Sequence, residues 1–286
     1  MIIPVSILVL GVIGIVAAVF LYIAAKKFKV YENPLIGEVE ELLPGANCGG
    51  CGFSGCHAFA IECANAKTLE GLNCTSLNAE GMQKIAGIVG LTAVAGEKRI
   101  AIVKCGADCE QRKQTNQYDG VNSCAIMASL YQGESNCVYG CLGCGDCVRA
   151  CPFDAMKISK TDRLAHVDFK KCTGCGKCVE ACPRNLCELV IAHNNLPTVW
   201  VACSNKDKGP VAMKECALSC IGCTKCRKVC PVEAPVISSF LANIDQSKCI
   251  ACGKCITECP RHCILSTYPI TREEKEKVME EFIEAQ

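Results

Sequence analysis

The chain has 286 residues, of which 29 are cysteine, with 30 Lys and Arg against 29 Asp and Glu. So many cysteines mean either a disulfide framework or bound metal, and the balanced charge offers no footprint for nucleic acid. No glycine loop stands in the strand-turn-helix setting that would cradle a nucleotide.

Residues 2–25, "IIPVSILVLGVIGIVAAVFLYIAA", are uncharged throughout and long enough as a helix to cross a bilayer. Lys26, Lys27 and Lys29 follow at once, which by the positive-inside rule leaves the rest of the chain in the cytoplasm. A cleaved signal would carry its basic residues in front of a shorter core, and a buried globular helix would keep a polar stripe. The sequence therefore predicts a single-pass anchor over residues 1–29, in contact with lipid at the cell membrane. The cysteines then face a reducing compartment, which favours metal over disulfides. Gly11, Gly14, Ala17 and Ala18 are small enough for another membrane helix to approach.

The next segment, 30–92, opens with "NCGGCGFSGC", where Cys48, Cys51 and Cys56 read C-x2-C-x4-C. Either Cys63 or Cys74 can complete the set. If the chain continues as a helix after Cys56, Cys63 falls two turns along on the same face and packs as a small apolar group. Cys74 lies in a loop-like context that can bend back, and the preferred set is Cys48, Cys51, Cys56 and Cys74 around a 4Fe-4S cluster. Gly49, Gly50, Gly52 and Gly55 suit a backbone that wraps closely and visits positive φ.

Residues 93–137 form a linker or leader containing Cys105, Cys109, Cys124 and Cys137. These four thiols are read as a further cubane site. Beyond them, four runs beginning at Cys141, Cys172, Cys220 and Cys249 each read C-x2-C-x2-C-x3-C-P. That is the bacterial ferredoxin pattern, in which three thiolates take three corners of one cubane and the fourth reaches across to the partner cluster. The assignment is Cys141, Cys144, Cys147 and Cys182; Cys172, Cys175, Cys178 and Cys151; Cys220, Cys223, Cys226 and Cys259; and Cys249, Cys252, Cys255 and Cys230. Zinc also favours four thiolates, but in paired C-x2-C knuckles. The chain from Cys124 aligns without a gap to the chain from Cys203, every cysteine superposing, which matches Cys124 and Cys137 to Cys203 and Cys216. The roles of Cys203 and Cys216 stay open. "LAHVDF", "TVWVAC" and "LANID" read as short strands.

The predicted fold is thus α+β: one amino-terminal transmembrane helix, a small iron-sulfur domain, then a duplicated two-cluster ferredoxin-like module over 138–200 and 201–268. Cys63, Cys187 and Cys263 are read as small hydrophobes, and His57, His166, His193 and His262 as surface or structural residues. No side chain is read as catalytic. The tail, 269–286, suits an amphipathic helix capped at Thr271, with Val278, Phe282 and Ile283 on one face.

The apolar amino-terminal helix, "LPGANCGGCGFSGCHAFA", "NCVYGCLGCGDCVRACPFDAM" and the ferredoxin runs together resemble the B subunit of the Rnf complex, a membrane-bound ferredoxin:NAD oxidoreductase that moves ions. The resemblance implies an electron-transfer subunit of a translocase, taking electrons from soluble ferredoxin and passing them through 4Fe-4S clusters, six in all, to other subunits of the complex. A membrane-tethered polyferredoxin serving a hydrogenase or another dehydrogenase is the alternative, and a zinc-stabilised scaffold a third reading.

Overall fold

The computed structural model describes residues 2–28, 33–93, 96–130, 132–192 and 196–270. Helix α1 (Ile2–Lys27) ends on two lysines. Its apolar side chains from Val12 to Ile23 are exposed, and the backbones at Gly11 and Gly14 stand open. Among the described residues no helix is long and apolar enough to cross a membrane; within α1 the side chains described are those of residues 11–24 and of Lys26 and Lys27.

Three short helices make the next unit: α2 (Pro34–Leu42), α3 (Cys56–Asn65) and α4 (Ala79–Val89). Asn33 caps α2 by accepting from the Leu35 amide, and Asn78 caps α4 by accepting from Gly81 at 2.9 Å. Gly90 ends α4 in the left-handed conformation, φ 74°. The helices bury Ile36, Val39, Phe59, Met82 and Ile85 against Leu69, an ordinary aliphatic core.

The rest of the described chain is two copies of one small fold. In the first, β1 (Arg99–Val103) pairs antiparallel with β4 (Cys187–Ile191), Arg99 opposite Ile191 and Val103 opposite Cys187, while β2 (Met156–Ile158) pairs with β3 (Ala165–Val167). In the second, β5 (Val199–Val201) pairs with β8 (Ile264–Ser266), and β6 (Pro235–Ser238) with β7 (Leu241–Ile244). Short helices carry the cysteine loops: α6 (Asp146–Arg149) and α7 (Lys177–Glu180) in the first copy, α9 (Lys225–Lys228) and α10 (Lys254–Glu258) in the second. The leaders add α5 (Cys124–Leu130) and α8 (Gly209–Glu215). The three segments read as strands correspond to β3, β5 and β7. The segment read as a linker supplies β1, so the first copy starts well before residue 138.

The copies meet at Trp200, which is almost wholly buried among Ile100, Ile102, Val190 and Ala202. Its Nε1 donates to the Val103 carbonyl at 3.1 Å, and its ring meets Phe169 edge-on at 5.9 Å. Residues 271–286, with the expected carboxyl-terminal helix, and His193 lie outside the described residues.

Candidate iron-sulfur centres

Each ferredoxin loop closes in the same way. Two residues take left-handed backbone in every loop: Gly143 and Gly145, Gly174 and Gly176, Gly222 and Thr224, Ala251 and Gly253. Glycine is required at the first of these in the second loop, because a Cβ on Gly174 would stand 2.4 Å from the Arg99 carbonyl. The second left-handed residue precedes the short helix, whose second residue is the third cysteine of the motif. The turned backbone aims its amides at sulfur. Cys141, Cys172, Cys220 and Cys249 accept from the amides two residues on, at Gly143, Gly174, Gly222 and Ala251. A neighbouring strand adds a second donor to three of them: Ala165 to Cys141, Ala101 to Cys172 at 3.3 Å, and Ala242 to Cys220. Burial raises the thiols of Cys141, Cys172 and Cys249, and the amide donors aimed at sulfur work against it, favouring the thiolate, the form that binds iron.

Two foursomes from the sequence line cavities complete. Cys151, Cys172, Cys175 and Cys178 share one, and Cys220, Cys223, Cys226 and Cys259 share another. Cys141, Cys147 and Cys182 line a third. Their fourth member, Cys144, turns toward Cys124 and the Leu142 carbonyl, 3.8 Å from its Sγ, and burial pushes its thiol up to about 12. Around Cys255 lie Cys249, Cys252 and Cys230, and also Cys226 of the partner loop. Among the described residues no group of three or more His, Cys, Asp or Glu meets at a point suited to a single metal ion.

In the amino-terminal unit Cys74 faces Cys51 and Cys48 and accepts hydrogen bonds from the Ser76 and Leu77 amides; burial raises its thiol all the same. Cys63 is wholly buried on α3, where burial lifts it to about 11. Cys74 thus has the amide donors of a ligand and Cys63 the surroundings of a core residue, although both adjoin Cys51. Gly49 and Gly52 take positive φ, 75° and 89°, and a Cβ on Gly50 would meet the Cys175 backbone at 2.8 Å. The amino-terminal loop therefore abuts the second ferredoxin loop.

Cys187 and Cys263 are buried at the same place in each copy. Cys187 reaches Cys147, Cys178 and Cys182, two different foursomes, while Cys263 lies 3.6 Å from Cys259 and also reaches Cys220. Both belong to the buried hydrophobic cores of their modules, as the sequence reading of them as small hydrophobes expects, and they pack against the cysteine sulfurs there. His57 and His166 bind carboxylates, Glu40 and Asp162, at 2.7 Å each.

The leader foursome comes apart. Cys105 and Cys137 share a cavity, but Cys109 and Cys124 do not line it. Cys109 Sγ donates to the Thr161 carbonyl at 3.6 Å, and Cys124 packs against Cys144 with its amide on Asp146. What joins Cys105 and Cys137 in that cavity is Cys203 and Cys216, which the sequence left unassigned.

Family profiles agree with the loops. One for a 4Fe-4S dicluster domain matches residues 140–186, a second of that description matches 219–264, and one described as a putative Fe-S cluster matches 43–71. The wider relationship is set by a protein of Methanosarcina acetivorans, the B subunit of an ion-translocating oxidoreductase complex. It is 40% identical over 91% of this chain and 96% of its own length. The chain belongs to that B-subunit family. The B subunit of a Na(+)-translocating ferredoxin:NAD(+) oxidoreductase complex in Acetobacterium woodii is also 40% identical, over 90% of this chain and 75% of its own. Its proton-translocating counterpart in Clostridium ljungdahlii is 36% identical over 84% of each. Relatives in this family thus match the amino-terminal unit and both ferredoxin modules together, which a polyferredoxin built of repeats alone would not.

Proposed function

We propose that this chain is the multi-cluster electron-transfer subunit of a membrane-bound, ion-translocating ferredoxin:NAD oxidoreductase, carrying electrons from reduced ferredoxin through six 4Fe-4S clusters toward membrane subunits. The names of its relatives supply the reaction. The observation that carries the reading is the continuous line of thiol sets along the chain.

Cys223 is the one exposed cysteine among the described residues. Its set adjoins that of Cys249 through Cys226 and Cys255. The sets of Cys141 and Cys172 meet through Cys187, which reaches both Cys147 and Cys178. Cys175 then faces Cys48, in the unit that follows α1. A cubane in each set would supply one-electron storage at every step. The residues of the chain set the spacing, exclude water and direct amides at sulfur, which is how a protein tunes such centres. No acid, base or nucleophile is needed.

The anchor reading of α1 is supported by its 26 residues, without charge before Lys26, and by its exposed apolar side chains. At 1.5 Å per residue such a helix spans about 39 Å, more than the ~30 Å hydrocarbon layer. The lysines at its end support a cytoplasmic body.

Ferredoxin is taken to dock over Cys223, beside the exposed Lys225, Arg227 and Lys228 of α9. Electrostatic steering of an acidic partner raises association by roughly 10- to 1,000-fold and fades with salt. Replacing these three residues together by Glu is expected to slow reduction of the chain by chemically reduced ferredoxin about tenfold at low ionic strength, measured by stopped-flow bleaching, and to reverse its salt dependence, added salt now raising the rate. An unchanged rate with iron content intact would place the docking site elsewhere.

A further inference from the structure

The cavity of Cys105, Cys137, Cys203 and Cys216 is partly open to solvent and has about 310 Å³ of empty space, the same as the cavity at Cys172. It lies between the two modules, and each module contributes to it in the same way. Cys105 stands two residues past the end of β1 and Cys203 two past the end of β5. Cys137 and Cys216 each stand four residues before the first cysteine of a ferredoxin motif.

The hydrogen bonds repeat as well. The Cys141 amide donates to Cys105 Sγ at 3.4 Å, and the Cys220 amide to Cys203 Sγ at 3.3 Å. Cys137 accepts from Tyr139 and Cys216 from Leu218, again the amides two residues on. Backbone pairing across the modules frames the walls, Gly106 donating to Ala202 at 3.0 Å and Ala217 to Gln111 at 2.8 Å.

We propose that these four thiols hold a 4Fe-4S cluster shared between the modules, two ligands from each. The inference rests on reading the neighbouring sets as cubane sites. On loading, each thiol gives up its proton and gains a bond to iron, four protons leaving in all, with iron and sulfide supplied as for the other sets. The walls already hold what such a group needs. The Ser219 hydroxyl, 1% exposed and on the cavity wall, has no hydrogen-bond partner, and a sulfide would accept from it. Asn205, also 1% exposed, points Nδ2 at Cys137 Sγ, 3.8 Å away, while sharing it with Glu215. Arg112, 6% exposed, brings a guanidinium to offset the negative charge of four thiolates.

The position explains the requirement. The set of Cys141 ends the first module's pair and the set of Cys220 begins the second's, and Cys105 and Cys203 are each hydrogen-bonded to one of those two residues. A cluster here joins two ferredoxins into one conductor.

The test is the iron, acid-labile sulfide and zinc content of the full chain isolated without oxygen. Cys203→Ala and Cys216→Ala are each expected to lose about four iron and four sulfide, while Cys109→Ala and Cys124→Ala keep the wild-type content. Wild-type content in the first pair, an equal loss in the second, or zinc lost in place of sulfide overturns the inference; a wild-type chain without iron overturns instead the reading of every set. Cys216→Ser, whose oxygen can still hold an iron corner, separates ligation from folding. It is expected to retain the iron and change the electron paramagnetic resonance signal of one cluster, and a spectrum identical to wild type counts against the site.

Discussion

Stripping the iron from the chain under anaerobic conditions is expected to unfold both ferredoxin modules and leave α2, α3 and α4 folded. The reason lies in what the cores are made of. In the second module six of the fourteen buried core residues are cysteines, Cys203, Cys220, Cys226, Cys255, Cys259 and Cys263, whereas in the amino-terminal unit only Cys63 and Cys74 of eleven are. The strands of the modules are three to five residues long and pair only in twos, and a two-stranded pair is marginal alone. Remove the bonds to iron and the thiols must serve as the core of a domain of fewer than 100 residues, a size at which metal commonly supplies the folding energy. Phe59, Leu69, Val39 and Ile85, all fully buried, need no such help. Amide hydrogen exchange reads this directly: protection at β1, β4, β5 and β8 should vanish with the iron while protection in α2 and α4 persists. Strand amides that stay protected in the iron-free chain would show that the thiol cavities fold without their contents.

Trp200→Ala is expected to remove about 3–5 kcal/mol of local stability at the junction of the modules. The indole fills the space between β1, β4 and β5, stacks edge-on with Phe169 and satisfies the Val103 carbonyl. Truncation leaves a cavity and an unpaired buried acceptor together, each costly. Protection of the β1 and β5 amides should fall by roughly a hundred- to several-thousand-fold, at about 1.4 kcal/mol per tenfold. Trp200→Phe, which keeps one aromatic ring but loses the donor and part of the volume, should cost less than the alanine variant, about 1–3 kcal/mol. Val103 and Ala202 lie within two residues of Cys105 and Cys203, so the alanine variant should also release iron faster on denaturant challenge. Equal protection in wild type and Trp200→Ala would mean that the modules are held together by something other than this contact.

Much of this was legible in the sequence, for a physical reason. A C-x2-C-x2-C-x3-C-P run fixes its own loop, so the thiols that line one cavity can be read off spacing, as at Cys172 and Cys220, and the strands before Cys172, Cys203 and Cys249 announce themselves by local pattern. Cys63 could be set apart from Cys74 because helical periodicity puts it inside. What escaped depends on distant pairing. Nothing near residues 99–103 reveals that β1 will lie against β4, more than eighty residues on, so that stretch reads as linker. The same gap hid the meeting of thiols between the modules. Aligned without gaps, Cys203 matches Cys124; in the fold its counterpart is Cys105, because the first module inserts a long leader, with α5, between its first strand and Cys137. Thr224 and Ala251 were equally hidden, since they adopt the left-handed backbone that elsewhere in the loops falls to glycine.

On this reading the chain is a single file of six thiol foursomes: the set of Cys249 at one end, then the set of Cys220 with the exposed Cys223, the junction at Cys105, Cys137, Cys203 and Cys216, the sets of Cys141 and Cys172, and last the set of Cys48 beside α1. Iron and acid-labile sulfide per chain, determined on the full-length protein purified without oxygen, test it most directly. The expected result is about 24 of each, with no stoichiometric zinc. A value of about 20 or below would break the file, and zinc without sulfide would contradict electron transfer altogether.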